Sequence, residues 1–303
     1  MAKRRVVILG VPLDLGASKE GASGGPSAIR RAGLVSALEA LDLAVEDLGD
    51  CEISAPSVKK NGGKLKNAAQ ILKVCRDLEK RLRRIVKSNA LPITLGGDHS
   101  LAMGTVAGVS GAVRKKGDRV GLLWIDAHAD INTPKTSPSG NIHGMPVAHI
   151  LGMGHPPFAR LGGFSPKVAP ENVCLIGTRT VDETEAENLR ESGVKVFSMQ
   201  DIDRMGMARV MEQAIAIAAN GTAGFHLSFD IDAVDPMQAP GTGTTKGGGL
   251  TYRESHLAME MVAESKKLLG LDMVEVNPLE DVQNATAVLA VELIESAMGK
   301  RIY

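Results

Sequence analysis

The segment Val120-Gly-Leu-Leu-Trp-Ile-Asp-Ala-His-Ala-Asp130 carries an uninterrupted apolar run and then, without a spacer, two carboxylates and an imidazole in alternation. A short run with no polar face fits a strand covered on both sides, the usual condition of strands in parallel sheets. Comparable β-branched runs occur at 6–9, 91–95, 173–176, 194–197, 224–229 and 271–276, with helical patterns between them. That alternation predicts βαβ units, and so an α/β protein whose mainly parallel sheet is flanked by helices. In the longest helical pattern Leu65, Ala68, Ala69, Leu72, Cys75, Leu78, Leu82 and Ile85 recur at spacings of three and four, giving one apolar stripe. Its opposite side, with Lys73, Arg76, Lys80, Arg81, Arg83 and Arg84, reads as a solvated basic face.

Nothing else in the 303 residues suggests a different class. Hydrophobic residues make up 44% and charged residues 23%, enough apolar surface for a large core. No 20–50-residue repeat or low-complexity linker divides the chain, so one domain over 1–303 is expected. Lys plus Arg and Asp plus Glu stand at 35 each, which leaves no overall charge to attract nucleic acid or an anionic membrane. A small polar substrate fits better. No apolar stretch approaches the roughly 18 residues of a membrane span. The basic Lys3 to Arg5 precede an apolar run too short for a signal peptide, so a first strand and a cytoplasmic location are expected. Cys51, Cys75 and Cys174 are odd in number and far apart, against both disulfides and a thiolate metal site.

Three long connections, 10–25, 126–144 and 230–249, each begin at the carboxyl end of a predicted strand, the edge where open parallel sheets bind ligands. Asp126-Ala-His128-Ala-Asp130 follows one strand, Asp230-Ile-Asp232 a second, and Gly96-Gly-Asp-His99-Ser a third. Alternate side chains of extended backbone share a face, so the carboxylates and imidazoles in each piece can converge. Taken singly, Asp-x-Asp is more often a turn or cap, and Gly-Gly-Asp-His a tight turn with an N-cap aspartate. Together they supply four carboxylates and two imidazoles, too many for one tetrahedral zinc but suited to two divalent ions sharing carboxylates. The oxygen-rich, thiolate-free set favours Mn²⁺ on ligand hardness. Two such ions acidify a shared water, so a nucleophile is available without Ser or Cys.

At these residues the chain resembles the ureohydrolase family, and within it the arginases. The resemblance runs through Gly-Gly-Asp98-His99-Ser, Asp126-Ala-His128-Ala-Asp130-Ile-Asn132-Thr-Pro, Ser139-Gly-Asn141-Ile-His143-Gly, Ser-Phe-Asp230-Ile-Asp232-Ala-Val-Asp235-Pro, Gly-Gly-Leu250-Thr-Tyr-Arg-Glu254 and Glu275-Val-Asn-Pro, covering nearly the whole length. It implies a three-layer arginase-like fold around a sheet of about eight strands. It also implies two Mn²⁺ per subunit, one on His99, Asp126, Asp130 and Asp230, the other on His128, Asp126, Asp230 and Asp232, with Asp126 and Asp230 as bridges. The implied reaction is hydrolysis of L-arginine to L-ornithine and urea by a metal-bridging hydroxide, in a homotrimer or homohexamer. The ending at Tyr303, without the longer tail of animal relatives, points to a bacterial type.

Substrate roles follow from the same resemblance. Asn132, Ser139 and Asn141 would meet the α-carboxylate, Asp182 and Glu185 the α-ammonium, and Thr244 and Glu275 the guanidinium, whose fork suits a carboxylate. Asp130 would pass a proton to the departing amine, and His143 would exchange protons with solvent. Read alone, Asp182 is rather a helix cap and His143 a surface residue. Thr180 stands where some arginases carry an acid, and Thr245-Lys246 replaces residues that are commonly apolar. The rival readings are an agmatinase or other guanidino-acid ureohydrolase and, more distantly, a related metal-dependent deacetylase or a non-catalytic metal-binding protein.

Overall fold

Eight strands form, seven of them at the runs predicted above: β1 (Arg5–Val11), β2 (Ala44–Asp50), β3 (Leu91–Gly96), β4 (Gly121–Ile125), β5 (Val173–Thr178), β6 (Lys195–Ser198), β7 (Phe225–Asp230) and β8 (Leu268–Val274). The computed structural model describes residues 3–54, 65–114 and 118–301. All ladders are parallel, in the order β2-β1-β3-β8-β7-β4-β5-β6. The added strand, β2, is an edge strand whose residues Ala44-Val-Glu-Asp-Leu-Gly-Asp are almost all exposed. Its pairing with β1 shapes it rather than burial, and acidic residues on an exposed edge also discourage pairing with other chains.

The helices of ten residues or more are α1 (Ala68–Lys87), α2 (Ala102–Arg114), α3 (Glu183–Ser192), α4 (Met207–Ala219), α5 (Tyr252–Ser265) and α6 (Ala285–Ala297). One face of the central strands, including Leu123, Ile125, Leu227, Phe229, Leu271 and Met273, packs on α4, α5 and α6 through residues such as Met211, Met259 and Leu293. The other face packs on α1 and α2, with Leu9, Val11 and Val274 against Ile71, Leu78 and Met103, and Leu122 and Trp124 against Val106 and Val109. The result is three layers. Among the described residues no helix is long and apolar enough to cross a membrane, and all three cysteines are free and buried.

In α1 the buried stripe is Ile71, Val74, Cys75, Leu78, Leu82 and Ile85, so Leu72 lies at its margin rather than its centre. The basic face also divides. Lys73, Arg76, Lys80 and Arg84 are exposed, whereas Arg81 and Arg83 pair one turn back with Asp77 and the buried Glu79.

Helices α1 and α2 approach closely because α2 presents glycines to α1. A Cβ on Gly104 would lie 2.7 Å from the Cys75 carbonyl oxygen and 2.8 Å from its Cα. Backbone cannot yield cheaply there, so Gly104→Val is expected to destabilise the protein by about 3 kcal/mol, the upper end of the overpacking range. Denaturant unfolding measures it, and an unchanged midpoint would show that the helices are free to separate.

Candidate metal centre

Four neighbouring strands, β3, β8, β7 and β4, point their carboxyl ends at one place. A one-turn helix after β3 presents His99, its N-cap Asp98 accepting a hydrogen bond from the Ser100 amide. Asp126 follows β4, Asp230 ends β7 with Asp232 two residues on, and Glu275 follows β8. Six carboxylates, those of Asp98, Asp126, Asp130, Asp230, Asp232 and Glu275, are buried here. Asp130 and Glu275 also hold left-handed backbone, at φ 48° and 63°. For non-glycine residues this costs about 1–3 kcal/mol each, strain of a kind that clusters at working sites.

His99 Nδ1 faces Asp126 Oδ2 at 3.2 Å, Asp230 Oδ2 at 3.2 Å and Asp130 Oδ2 at 3.4 Å. His128 Nδ1 faces Asp232 Oδ2 at 3.1 Å and Asp126 Oδ1 at 3.4 Å. Asp126 thus turns one oxygen to each imidazole, the arrangement of a bridging ligand. Two donor sets result, His99 with Asp126 and Asp230, and Asp126 with His128 and Asp232. Asp130 adjoins the first set without closing it, and Asp230 belongs to the first set only. Its other oxygen accepts from the Asp232 amide.

The fit to metal rests on an orphaned atom. His99 Nδ1 is buried and has no hydrogen-bond partner, although it looks into three carboxylates. The ring is otherwise fixed on every side. Its Nε2 meets Ser228 Oγ at 2.8 Å, its amide donates to Glu275 Oε1, and its face stacks on Trp124 at 3.9 Å and 7°. Trp124 Nε1 in turn donates to Asp126 Oδ2 at 2.9 Å. A ring oriented by its second nitrogen with the first left open is the usual preparation of a metal ligand.

Electrostatics agree. Burial, followed by the charges of neighbouring carboxylates, pushes Asp130 and Asp230 well above the ordinary carboxylate range. Burial works against the charge on Asp126 too, yet His128 and His99 hold it below that range. Burial would lower His128, but Asp126 and Asp232 override it and push it up to about 12. So many buried acids cannot all ionise without cations, and protons are the only ones this cage can recruit besides metal.

Beside the donor sets lies a cleft of about 150 Å³. Of the residues expected to meet substrate, Asn132, Ser139, Asn141, Asp182, Glu185 and Thr244 all line it, as do His128, Asp130, His143 and Asp230. Glu275 stands back from the wall, its Oε1 3.0 Å from His143 Nδ1. Burial opposes both charges of that pair, but each partner favours the other's, leaving the imidazole raised and the carboxyl lowered. Asp182 is at once a cleft residue and the N-cap of α3, and Glu185 accepts from the Ile131 amide at 3.0 Å. Burial raises Glu185 to about 6. Thr244 Oγ1 donates to Asp232 Oδ2 at 2.8 Å, so it steadies a donor set as well as the wall. Asn141 Oδ1 is occupied by Lys66 Nζ at 2.8 Å and by Ser18 Oγ at 3.0 Å.

Sequence reasoning missed Trp124, Ser228, Lys66 and Ser18. Trp124 and Ser228 each lie two residues before a ligand carboxylate on the same strand face, a period-two signal that was available. Lys66 and Ser18 had none, being remote in sequence from Asn141. His226 is fully buried, its Nε2 2.8 Å from Asp272 Oδ2.

Residues 4–299 match the family model described as "Arginase family". The chain is 48% identical over 299 residues to the arginase of Bacillus caldovelox, covering 98% of this chain and 99% of that one. The native structure of the Bacillus caldovelox arginase superposes with a TM-score of 0.95 at 47% identity, over 99% and 100% of the two chains. A structure described as a hypothetical agmatinase from Burkholderia thailandensis gives a TM-score of 0.74 at 27% identity, over 97% and 84%.

Because Asp126 serves both donor sets, Asp126→Asn is expected to weaken both rather than one. Imidazoles and carboxylates must shed protons to bind a cation, so affinity should rise about tenfold per pH unit for each proton released. Mn²⁺ titrations of the wild type at pH 6 and pH 8, and of the variant at pH 8, test both points. Flat affinity between the two pH values would mean the cage does not exchange protons for metal.

Proposed function

The chain belongs to the arginase family, and from that premise we propose that it hydrolyses L-arginine to L-ornithine and urea at a pair of Mn²⁺ ions. The observation that carries the reading is the double donor set joined by Asp126, with a cleft beside it lined by both carboxylates and neutral polar side chains. When bound, the two ions supply acidified water as the nucleophile for the guanidinium carbon. Everything else is the work of side chains.

His99, Asp126, Asp130 and Asp230 would hold one ion, and His128, Asp126 and Asp232 the other, which Asp230 would join as a second bridge only by turning its Oδ1 from the Asp232 amide. Glu275 takes the planar fork of the guanidinium and sets its carbon toward the donor sets. Asp182 and Glu185 take the α-ammonium, while Asn132, Ser139 and Asn141 donate to the α-carboxylate. Thr244 closes the guanidinium end. Asp130 gives a proton to the departing amine, which otherwise leaves as an unfavourable anion. His143 then exchanges protons with solvent, since its ring reaches the cleft and lies beside Glu275, whose carboxylate raises its affinity for a proton against the opposing effect of burial. Thr180, also in the cleft wall, leaves one acid fewer for the α-ammonium than in relatives with a carboxylate there.

Arginine is favoured over agmatine on two grounds. Asn132, Ser139 and Asn141 line the cleft as neutral polar groups that an α-carboxylate could engage and that agmatine, which has none, could not use. The structural likeness is also closer to an arginase than to the agmatinase. We assign the protein to the cytoplasm as one domain over 1–303, assembled as a homotrimer or homohexamer, which light scattering resolves.

Urea release from arginine and from agmatine after Mn²⁺ loading decides the substrate, with kcat/KM expected to favour arginine by at least 100-fold, or about 3 kcal/mol. Preference for agmatine would overturn it. His143→Asn is expected to lower kcat by about 10²–10⁴-fold with little change in KM, as for loss of a proton-transfer group.

A further inference from the structure

Arg179 follows β5 and is half-buried beside the donor sets, yet the reaction above does not use it. All the hydrogen bonds of its guanidinium go to backbone carbonyl oxygens. Nη2 donates to Asp232 at 2.7 Å and Lys246 at 2.8 Å, and Nη1 to Ala233 at 3.0 Å and Gly177 at 3.4 Å. The Arg179 amide donates to Ala127 at 2.9 Å. One residue therefore touches the strand end that carries His128, the turn that carries Asp232 and the glycine-rich loop that carries Thr244. Gly249 lets the guanidinium through, because a Cβ there would lie 2.6 Å from Nη2.

We propose that Arg179 is a positioning residue that clamps the Asp232 turn to the Thr244 loop and so builds the second of the two donor sets. A planar guanidinium has five N–H donors in a fixed fork and can serve several carbonyls at once, whereas an ammonium group on a flexible stem cannot. Thr244 Oγ1 donates to Asp232 Oδ2, so the clamp fixes that carboxylate from its backbone and from its side chain together. Arg179 makes no hydrogen bond to His99, Asp126 or Asp230, so it reaches the first set only indirectly, through the shared Asp126 and through Asp230, which accepts from the Asp232 amide. The Thr245-Lys246 departure bears on this too, because Arg179 holds Lys246 through a main-chain oxygen, which any residue would offer.

The inference rests on the two-metal reading, so its test reads metal rather than product. Equilibrium dialysis against Mn²⁺ should find two ions per wild-type chain. Arg179→Met should weaken the two ions unequally, holding one close to wild-type affinity and the other about 10–100-fold more weakly, the usual cost of losing a partner that orients a ligand. Arg179→Lys, which keeps the charge and loses the fork, should behave like Arg179→Met. Melting of the metal-free proteins separates positioning from folding, and the three should unfold within a few degrees of one another. Two tightly held ions in Arg179→Met would overturn the proposal, as would Arg179→Lys matching the wild type. Equal weakening of both ions together with a lowered metal-free melting temperature would mean that Arg179 only holds the fold. If the wild type binds two ions but releases no urea from arginine, the proposed function fails while the role of Arg179 stands.

Discussion

Six carboxylates packed into one dry patch at the end of a parallel sheet repel each other and resent burial, and only cations can reconcile them. The rest of the site follows from that constraint. The imidazoles of His99 and His128 sit where they separate the acids, and their open nitrogens face the gaps between them. Protons can fill those gaps, but a divalent ion places more charge in the same volume. A protein that buries its acids in this way has in effect selected metal as a part of its structure.

Holding that arrangement requires more than the donors. His99 is fixed through Ser228, Trp124 and the Glu275 carboxylate, and Asp126 through the Trp124 indole. Left-handed backbone at Asp130 and Glu275 persists because the strands before them and the contacts after them leave no alternative. The Glu275 amide, for instance, is tied to the Gly97 carbonyl at 2.8 Å. Rigidity in the two apolar faces of the sheet is what makes such strained positions tolerable. The core and the site are thus mechanically one object.

The cleft wall mixes charge with neutral polarity: Asp182 and Glu185 share it with Asn132, Ser139 and Asn141, and the donor sets lie beside them. Several of these residues do two things at once: Asp182 starts α3, Glu185 steadies the Ile131 amide, and Thr244 steadies Asp232. Such double use ties the cleft wall to the fold and the metal cage, since none of these groups can move without disturbing its second partner.

Residues that are near one another in sequence carried most of what could be read directly. The apolar runs marked seven strands, and their carboxyl ends marked where Asp126, His128, Asp230 and Asp232 gather. The expected period of two does not hold there, because the backbone bends after Asp126 and turns into a one-turn helix at Ile231–Ala233, capped by Asp230. The edge strand β2 escaped because it buries little and is shaped by its pairing with β1. Asp130 and Glu275 could be named but not placed, since their left-handed backbone breaks the alternation on which the reading relies. Lys66 and Ser18 around Asn141, and Arg179 across two loops, were decided only when the strand order β3-β8-β7-β4 brought distant segments together. Chemistry of the donors is local and therefore written in the chain. Their distances and second partners depend on the register of strands far apart in sequence, and that only the folded sheet settles.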